Sequence, residues 1–184
     1  GRSNGFELLG YINYANGGNF SAGNGQEMEG TGTDLLSGLG KVAYESLDGN
    51  RFELSHERVR DDELRPFRAN FYRPGPGGLR IRPYDLNRQN TVFTYTDTSP
   101  EGWWDPKVVI AYSATDLEVP DNLNANSPYS VGETGSFNGK AENRFAIDMG
   151  SITAGFDFYS DKAAYEYVGP GGYTTDEKAT NVGA

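Results

Sequence analysis

The chain has 184 residues, enough for one ordinary domain, and it is acidic, with a formal net charge of −10 and a hydrophobic content of 36%. This charge argues against nucleic acid as a partner, because phosphate contacts require Lys and Arg. The absence of cysteine excludes disulfides and thiol catalysis, and the absence of any run of about 18 apolar residues excludes a transmembrane helix.

Alternating apolar and polar residues predict seven β-strands. In chain order these are Gly5–Tyr14, Leu35–Glu45, Arg51–Arg60, Gln89–Asp97, Lys107–Asp116, Asn143–Met149 and Ile152–Asp161. The period of two assigns apolar side chains to one face, expected to be convex: Phe52, Leu54, Val108, Ile110, Tyr112, Phe156 and Phe158. It assigns charged side chains to the other, concave face: Glu53, Glu57, Arg144, Asp148 and Asp157.

The connections alternate between short and long. Tight turns are predicted near Asp48-Gly49, Glu101-Gly102 and Gly150-Ser151. Long loops are predicted at Ala15–Asp34, Asp61–Arg88, Leu117–Glu142 and from Lys162 to the end. Strict alternation places all the long loops at one end of an antiparallel meander. Soluble domains rarely carry several such loops, whereas outer-membrane β-barrels do. A soluble antiparallel sandwich would give the same alternation along each strand and stays open as an alternative.

Both tryptophans, Trp103 and Trp104, fall in the predicted turn between Ser99 and Pro106. They indicate either a pair packed within a loop or part of an aromatic belt at a membrane interface, with Tyr44 at the same level.

Two stretches resemble a known family. Residues 35–71 read LLSGLGKVAYESLDGNRFELSHERVRDDELRPFRANF, and residues 151–161 read SITAGFDFYSD. Both are similar to barrel hairpins of TonB-dependent outer-membrane receptors, especially the haem and siderophore branches. The resemblance implies an all-β fold in which this chain supplies about seven strands of a larger transmembrane β-barrel. It also implies a Gram-negative outer-membrane location, uptake of an anionic iron chelate (siderophore or haem), and coupling to TonB through a plug domain that these 184 residues lack.

An arginine-rich window is the clearest chemical feature. Residues 58–88 hold eight arginines against four acidic residues, with aromatic residues interleaved. Guanidinium groups bind carboxylate and phosphate oxygens, and aromatic rings offer stacking surfaces. The candidate ligand-binding residues are Arg65, Arg68, Tyr72, Arg73, Arg80, Arg82 and Tyr84. The alternative is that these arginines contact lipopolysaccharide phosphates, or pair locally with Asp61, Asp62 and Glu63.

Other motifs carry little chemistry. His56, the single histidine, shares a face with Phe52 and Leu54, so it is not expected to ligate haem iron. The loop Asn16–Gly25 lacks the acidic spacing of a calcium loop and is expected to be a flexible tip. No catalytic triad or phosphate loop is present, so no enzyme, metal site or cofactor is expected, and a carboxylate-based hydrolase is the weakest hypothesis.

Overall fold

The computed structural model describes residues 1–66, 81–100, 102–119, 129–168 and 171–184. It contains nine strands: β1 (Arg2–Ser3), β2 (Phe6–Gly17), β3 (Thr33–Glu45), β4 (Asn50–Pro66), β5 (Ile81–Asp97), β6 (Pro106–Val119), β7 (Tyr129–Ile147), β8 (Gly150–Val168) and β9 (Tyr173–Gly183). They form one sheet in the order β1 to β9, and every neighbouring pair is antiparallel. Within the described ranges, no helix is long and apolar enough to cross a membrane.

The predicted all-β antiparallel meander is confirmed, and each of the seven predicted strands is present. The predicted boundaries of the outer loops are wrong. Strand β4 continues to Pro66, β5 already begins at Ile81, and β7 begins at Tyr129 instead of Asn143. The stretch after Lys162, predicted to be a loop, holds the end of β8 and all of β9. Charged residues, small polar residues and glycine interrupt the alternation in these extensions, so a hydrophobic period of two does not reveal most of them.

The three turns predicted to be tight lie at one end of the sheet, as predicted, but the short connection between Val168 and Tyr173 joins β8 to β9 at the opposite end. The β3–β4 turn is closed by Gly49 N donating to Ser46 O at 3.1 Å, and Thr98 N of the next turn donates to Gly49 O at 2.8 Å. Gly49 has a φ of 84°, and a Cβ there would overlap the Ser99 hydroxyl. Only glycine therefore fits where the two turns pack together. A further turn at Asn4-Gly5, between β1 and β2, was not predicted.

Cross-strand partners share a face, so the strand register defines the two faces of the sheet. One register row near the turn end contains Phe6, Tyr44, Phe52, Tyr95, Val108, Ala141 and Phe156. We call the face that carries this row the apolar face and the opposite face the polar face. All seven residues predicted to be apolar neighbours lie on the apolar face, as the register pairs show.

The charged set is confirmed with one exception. Glu53, Glu57, Arg144 and Asp157 lie on the polar face. Asp148 does not, because β7 ends at Ile147 and Asp148 lies in the turn to β8. The assignment of the apolar face as convex stays a prediction.

The apolar face is the more exposed of the two. On β4, the residues Phe52 and Leu54 are 42% and 46% exposed, whereas the intervening Glu53 side chain is 25% exposed. The only buried hydrophobic residues in the described part of the chain are Ala43, Ala114 and Val119. A sandwich would bury its apolar face against a second sheet, but all the described strands belong to one sheet. The sandwich alternative is therefore not favoured.

The strands are longer than a bilayer requires. Strands β4 and β5 have 17 residues each, and β7 and β8 have 19 each. Crossing a membrane takes about 9–11 strand residues, and 17 residues extend about 58 Å. Beyond His56 the apolar face of β4 changes character, with Arg58, Arg60 and Asp62 in successive positions. The outer part of the sheet therefore carries polar residues on both faces.

Candidate functional site

The two faces of the sheet divide the arginine-rich window. Arg58 and Arg60 pair with Gln89 and Asn87 on the apolar face. Arg65 pairs directly with Arg82, and Arg88 pairs with Val59, on the polar face. The sequence placed Arg58 and Arg60 at the end of a predicted strand, and Arg65, Arg82 and Arg88 in the following loop. The loop assignment is wrong for these three arginines, because the strand ladder continues through Pro66↔Ile81. Strand parity sends Arg58 and Arg60 to the side opposite Arg65.

Three of the seven candidate ligand residues lie within the described ranges. Arg65, Arg82 and Tyr84 share the outer end of the polar face, where Tyr84 pairs with Glu63 one row below Arg65↔Arg82. The structure thus brings these three together, but on strands and not on a loop as expected. Arg68, Tyr72, Arg73 and Arg80 fall outside the described residues.

Arg65 is engaged locally. Its Nη2 donates to both Asp61 carboxylate oxygens, at 3.0 and 2.9 Å, and its Nη1 donates to the carbonyl oxygen of Gly32. A Cβ at Gly30 would lie 2.9 Å from Pro66 Cδ, so the loop between β2 and β3 packs against this end of β4. The alternative of local pairing, raised from the sequence, is confirmed for Arg65. Its guanidinium therefore holds a neighbouring loop in place.

Three tyrosines that sequence reasoning missed lie on the same face. The Tyr167 and Tyr173 rings stack with centroids 5.8 Å apart, and Tyr165 and Tyr173 are also 5.8 Å apart. The Tyr165 hydroxyl is 3.0 Å from Ser130 Oγ. Their segment was predicted to be a loop. The signal that reveals them is the odd-numbered spacing of Tyr159, Tyr165 and Tyr167, which continues the period of two of β8.

The register places these tyrosines level with Tyr84. Val119 pairs with Ser130, Ser130 with Tyr167, and Tyr167 with Tyr173. Tyr84 lies one residue beyond the last β5–β6 pair, Asp85↔Glu118, and so continues the same row. Three strand spacings separate Tyr84 from Tyr167, about 14 Å along the sheet. The outer polar face therefore carries guanidinium groups near β4–β5 and phenol rings near β8–β9.

An ion-pair network occupies the other end of the polar face. Arg51 Nη2 lies 2.8 Å from Glu7 and 3.2 Å from Glu53, and its Nη1 lies 3.4 Å from Glu45. Lys41 Nζ contacts Glu53 at 2.7 Å. These contacts cross strands β2, β3 and β4, so the network fastens three strands of the sheet to one another.

Aromatic residues mark the turn end of the apolar face. Phe6 and Tyr44 have ring centroids 4.7 Å apart, and Phe52 stacks on Tyr95 at 5.0 Å. The Trp103–Trp104 pair meets edge to face at 5.4 Å in the β5–β6 turn, where Asn143 Nδ2 donates to Trp103 O at 2.7 Å. Trp103 is 67% exposed, which does not fit the interpretation of a pair packed within a loop. This distribution of exposed rings is typical of an interfacial belt.

His56 lies on the apolar face, as its phase predicts. Its Nδ1 is 2.8 Å from the Thr91 hydroxyl of the neighbouring strand. No group of three or more His, Cys, Asp or Glu in the described part of the chain is arranged to hold a metal ion.

A single antiparallel sheet with an exposed apolar face, tight turns at one end and strands longer than a bilayer is the wall of a transmembrane β-barrel. Heme transporter BhuA of Brucella ovis and Heme transporter BhuA of Brucella abortus are each 34% identical to this chain over 158 residues, 86% of its length. The chain spans 23% of the length of these curated relatives. No family model matches, and no solved structure gives a significant match. The relatives confirm the resemblance drawn from the sequence: the chain belongs to the TonB-dependent receptors.

Proposed function

We propose that this chain forms part of the wall of an outer-membrane receptor that takes up haem. The observation that carries the proposal is the 34% identity to haem transporters over 86% of the chain. The exposed apolar face supports it, because such a face is stable only against lipid. In this proposal residues 1–184 are one portion of a larger barrel, and TonB acts through a plug domain outside them. The protein moves its ligand without chemical change.

The proposed ligand surface is the outer polar face. Arg82 and Tyr84 present a cation and a ring there, and Arg65 is level with them. Arg68, Tyr72, Arg73 and Arg80 remain candidates from the sequence. Guanidinium groups pair with the propionates of haem, and phenol rings pack on its macrocycle. The Tyr165–Tyr167–Tyr173 cluster supports this ligand, because its rings offer a surface on which a planar macrocycle can pack.

The proposal includes two further partners. The apolar face contacts the lipid of a Gram-negative outer membrane, with the tight turns towards the periplasm. Lipopolysaccharide meets the outer part of the same face.

Growth on haem tests the proposed function. The full-length receptor that contains this chain is expressed in a bacterial host that cannot make haem and lacks its own haem receptor. We expect growth on haem when the host has TonB and no growth when TonB is deleted. If the receptor instead restores uptake of ferric siderophores and never of haem, the proposed ligand is wrong.

Substitution of arginines tests the proposed surface. Changing Arg68, Arg80 and Arg82 to Ser, with Arg65 retained because it holds the loop at Gly32, is expected to raise the Kd for haem. Each lost charge-assisted contact costs about 1.5–3 kcal/mol if it is desolvated and far less if it stays hydrated.

The matched control removes charge from the opposite face. Changing Arg58 and Arg60 to Ser is expected to leave haem binding unchanged, since neither side chain lies on the polar face. Binding is measured on cells that display equal amounts of receptor. Unchanged affinity in the triple variant would withdraw these residues from the ligand site.

A further inference from the structure

A groove on the apolar face lies where that face changes from apolar to charged. It has a volume of about 330 Å³ and is lined by Ile12, Leu36, Gly38, Arg58 and Arg60, together with Ser37. Two consecutive register rows form it: Ile12↔Gly38↔Arg58 and Tyr14↔Leu36↔Arg60. Hydrophobic side chains on β2 and β3 thus stand beside two guanidinium groups on β4.

Glycine leaves the bottom of the groove without side chains. A Cβ at Gly38 would meet only the Tyr11 carbonyl oxygen, at 3.5 Å, and one at Gly40 would have nothing within 4 Å. Gly10 is paired with Gly40 in the adjoining row, and a Cβ there would also meet nothing. The groove is therefore a shallow, apolar channel in the sheet surface, continuous with the lipid-facing rows that contain Leu8, Val42 and Leu54.

The two guanidinium groups differ in their present partners. Arg58 Nε donates to the neutral Asn87 amide oxygen at 3.0 Å, and Arg58 forms no ion pair with another described residue. Arg60 lies 3.2 Å from Asp62 and 3.9 Å from Asp85, and its side chain is 55% exposed. On the apolar face, the charge of Arg58 is thus not neutralised by a carboxylate, and that of Arg60 is partly neutralised by Asp62 and Asp85.

The position of the groove restricts its occupant. An apolar channel flanked by two arginines matches an amphiphile whose acyl chains meet an anionic headgroup. Forked guanidinium donors match phosphate oxygens. The groove lies in the half of the sheet away from the tight turns, so in the proposed orientation it is level with the outer leaflet.

We propose that Arg58 and Arg60 bind a phosphate of lipid A, with an acyl chain lying in the groove beside Ile12 and Leu36. The inference rests on the proposed membrane orientation and names the residues that meet the phosphorylated glycolipid. It also gives a function to the arginines that strand parity removes from the ligand surface.

Lipid binding to the purified full-length receptor tests this site. Diphosphorylated lipid A, dephosphorylated lipid A and phosphatidylglycerol are added separately in detergent, and bound lipid is counted by native mass spectrometry. We expect R58Q/R60Q to weaken lipid A binding at least tenfold. Arg88→Gln, a matched loss of charge on the polar face one row away, is expected to have no effect.

Several results would overturn the site. These are unchanged lipid A binding in R58Q/R60Q, equal binding of dephosphorylated lipid A by the parent receptor, or tighter binding of phosphatidylglycerol than of lipid A. Should R58Q/R60Q fail to assemble, R58K/R60K keeps the charge but loses the forked donors. The R58K/R60K receptor is then expected to bind lipid A at least threefold more weakly than the parent receptor. Equal binding by the two receptors would contradict the proposal.

Haem uptake separates this failure from that of the proposed function. R58Q/R60Q receptor is expected to take up haem normally. Loss of lipid A binding with normal uptake supports the site. A parent receptor that binds lipid A but never takes up haem would overturn the proposed ligand and leave this site standing.

Discussion

The two faces of the β4–β5 pair show how one stretch of chain serves two environments. Arg65, Arg82 and Tyr84 project to the polar face, and Arg58 and Arg60 project to the apolar face a few residues away. On the polar face, charges meet other charges across strands, as in the contact between Lys41 and Glu53 at 2.7 Å. On the apolar face, charges appear only past the apolar rows. Amino-acid composition does not distinguish the residues of the polar face from those of the apolar face. The alternation of side chains along a pleated strand does.

The largest expected effect comes from moving a charge onto the apolar face. Phe93→Arg places a cation between Leu54 and Ile110 and is expected to lower the free energy of unfolding in lipid by about 2–4 kcal/mol. The adjacent Thr94→Arg faces Glu53 and is expected to change it by less than about 1 kcal/mol. Urea titration of the receptor refolded in vesicles measures both values. Similar losses for the two variants would contradict the assignment of faces.

A smaller effect is expected from the ion-pair network. Arg51→Gln leaves Glu7, Glu45 and Glu53 close together without their shared cation, and we expect a loss of about 1 kcal/mol. Arg60→Gln, on the other face, removes a half-exposed pair with Asp62 and is expected to cost less than about 0.5 kcal/mol. The same titration, in lipid that contains no lipid A, compares them. A larger loss for Arg60→Gln would show that the network does not fasten the strands.

An effect of similar size, on ligand binding instead of stability, is expected for the tyrosine cluster. Tyr165→Ser is expected to weaken haem binding about fivefold, corresponding to about 1 kcal/mol of ring stacking. Tyr165→Phe keeps the ring and loses only the hydrogen bond to Ser130, so it is expected to change the Kd less than twofold. Tyr112→Ser, a ring on the apolar face, is the control. Equal weakening by Tyr112→Ser would mean that the loss reflects barrel stability and not ligand contact.

The sequence predicted the strands where apolar residues alternate with polar ones. Phe52 and Leu54 against Glu53 fix both the strand and its faces, because a period of two leaves only one choice of phase. The prediction failed beyond Arg60, where Asp61, Asp62 and Glu63 are charged on both faces and no hydrophobic contrast remains. Those residues are held by ladder pairing, which depends on partners such as Asp85 and Leu86 that lie far along the chain.

The candidate site was predictable in type but not in arrangement. Arginine and tyrosine content indicated an anionic, ring-bearing ligand or a phosphate surface. The division into Arg65 and Arg82 on one side and Arg58 and Arg60 on the other requires the register. The contact between Arg65 and Gly32 joins residues 33 positions apart, so no local sequence pattern predicts it.

The extended strands also determine where the protein can be cut. A protease must draw several residues of free backbone into its cleft, and backbone paired on both sides in a ladder is not available for that. The outer ends of β4 to β8 therefore resist digestion although they project past the lipid. In the described part of the outer surface, residues 18–32 join β2 to β3 outside the strand ladder. They are held by the short Ser21↔Glu27 bridge, by turn hydrogen bonds and by side-chain contacts such as that of Asn19 Oδ1 with Thr31 N at 2.9 Å. Intact cells treated with a glutamyl protease should lose the receptor by cleavage at Glu27 or Glu29, whereas trypsin should leave the chain uncut at Arg60 and Lys162.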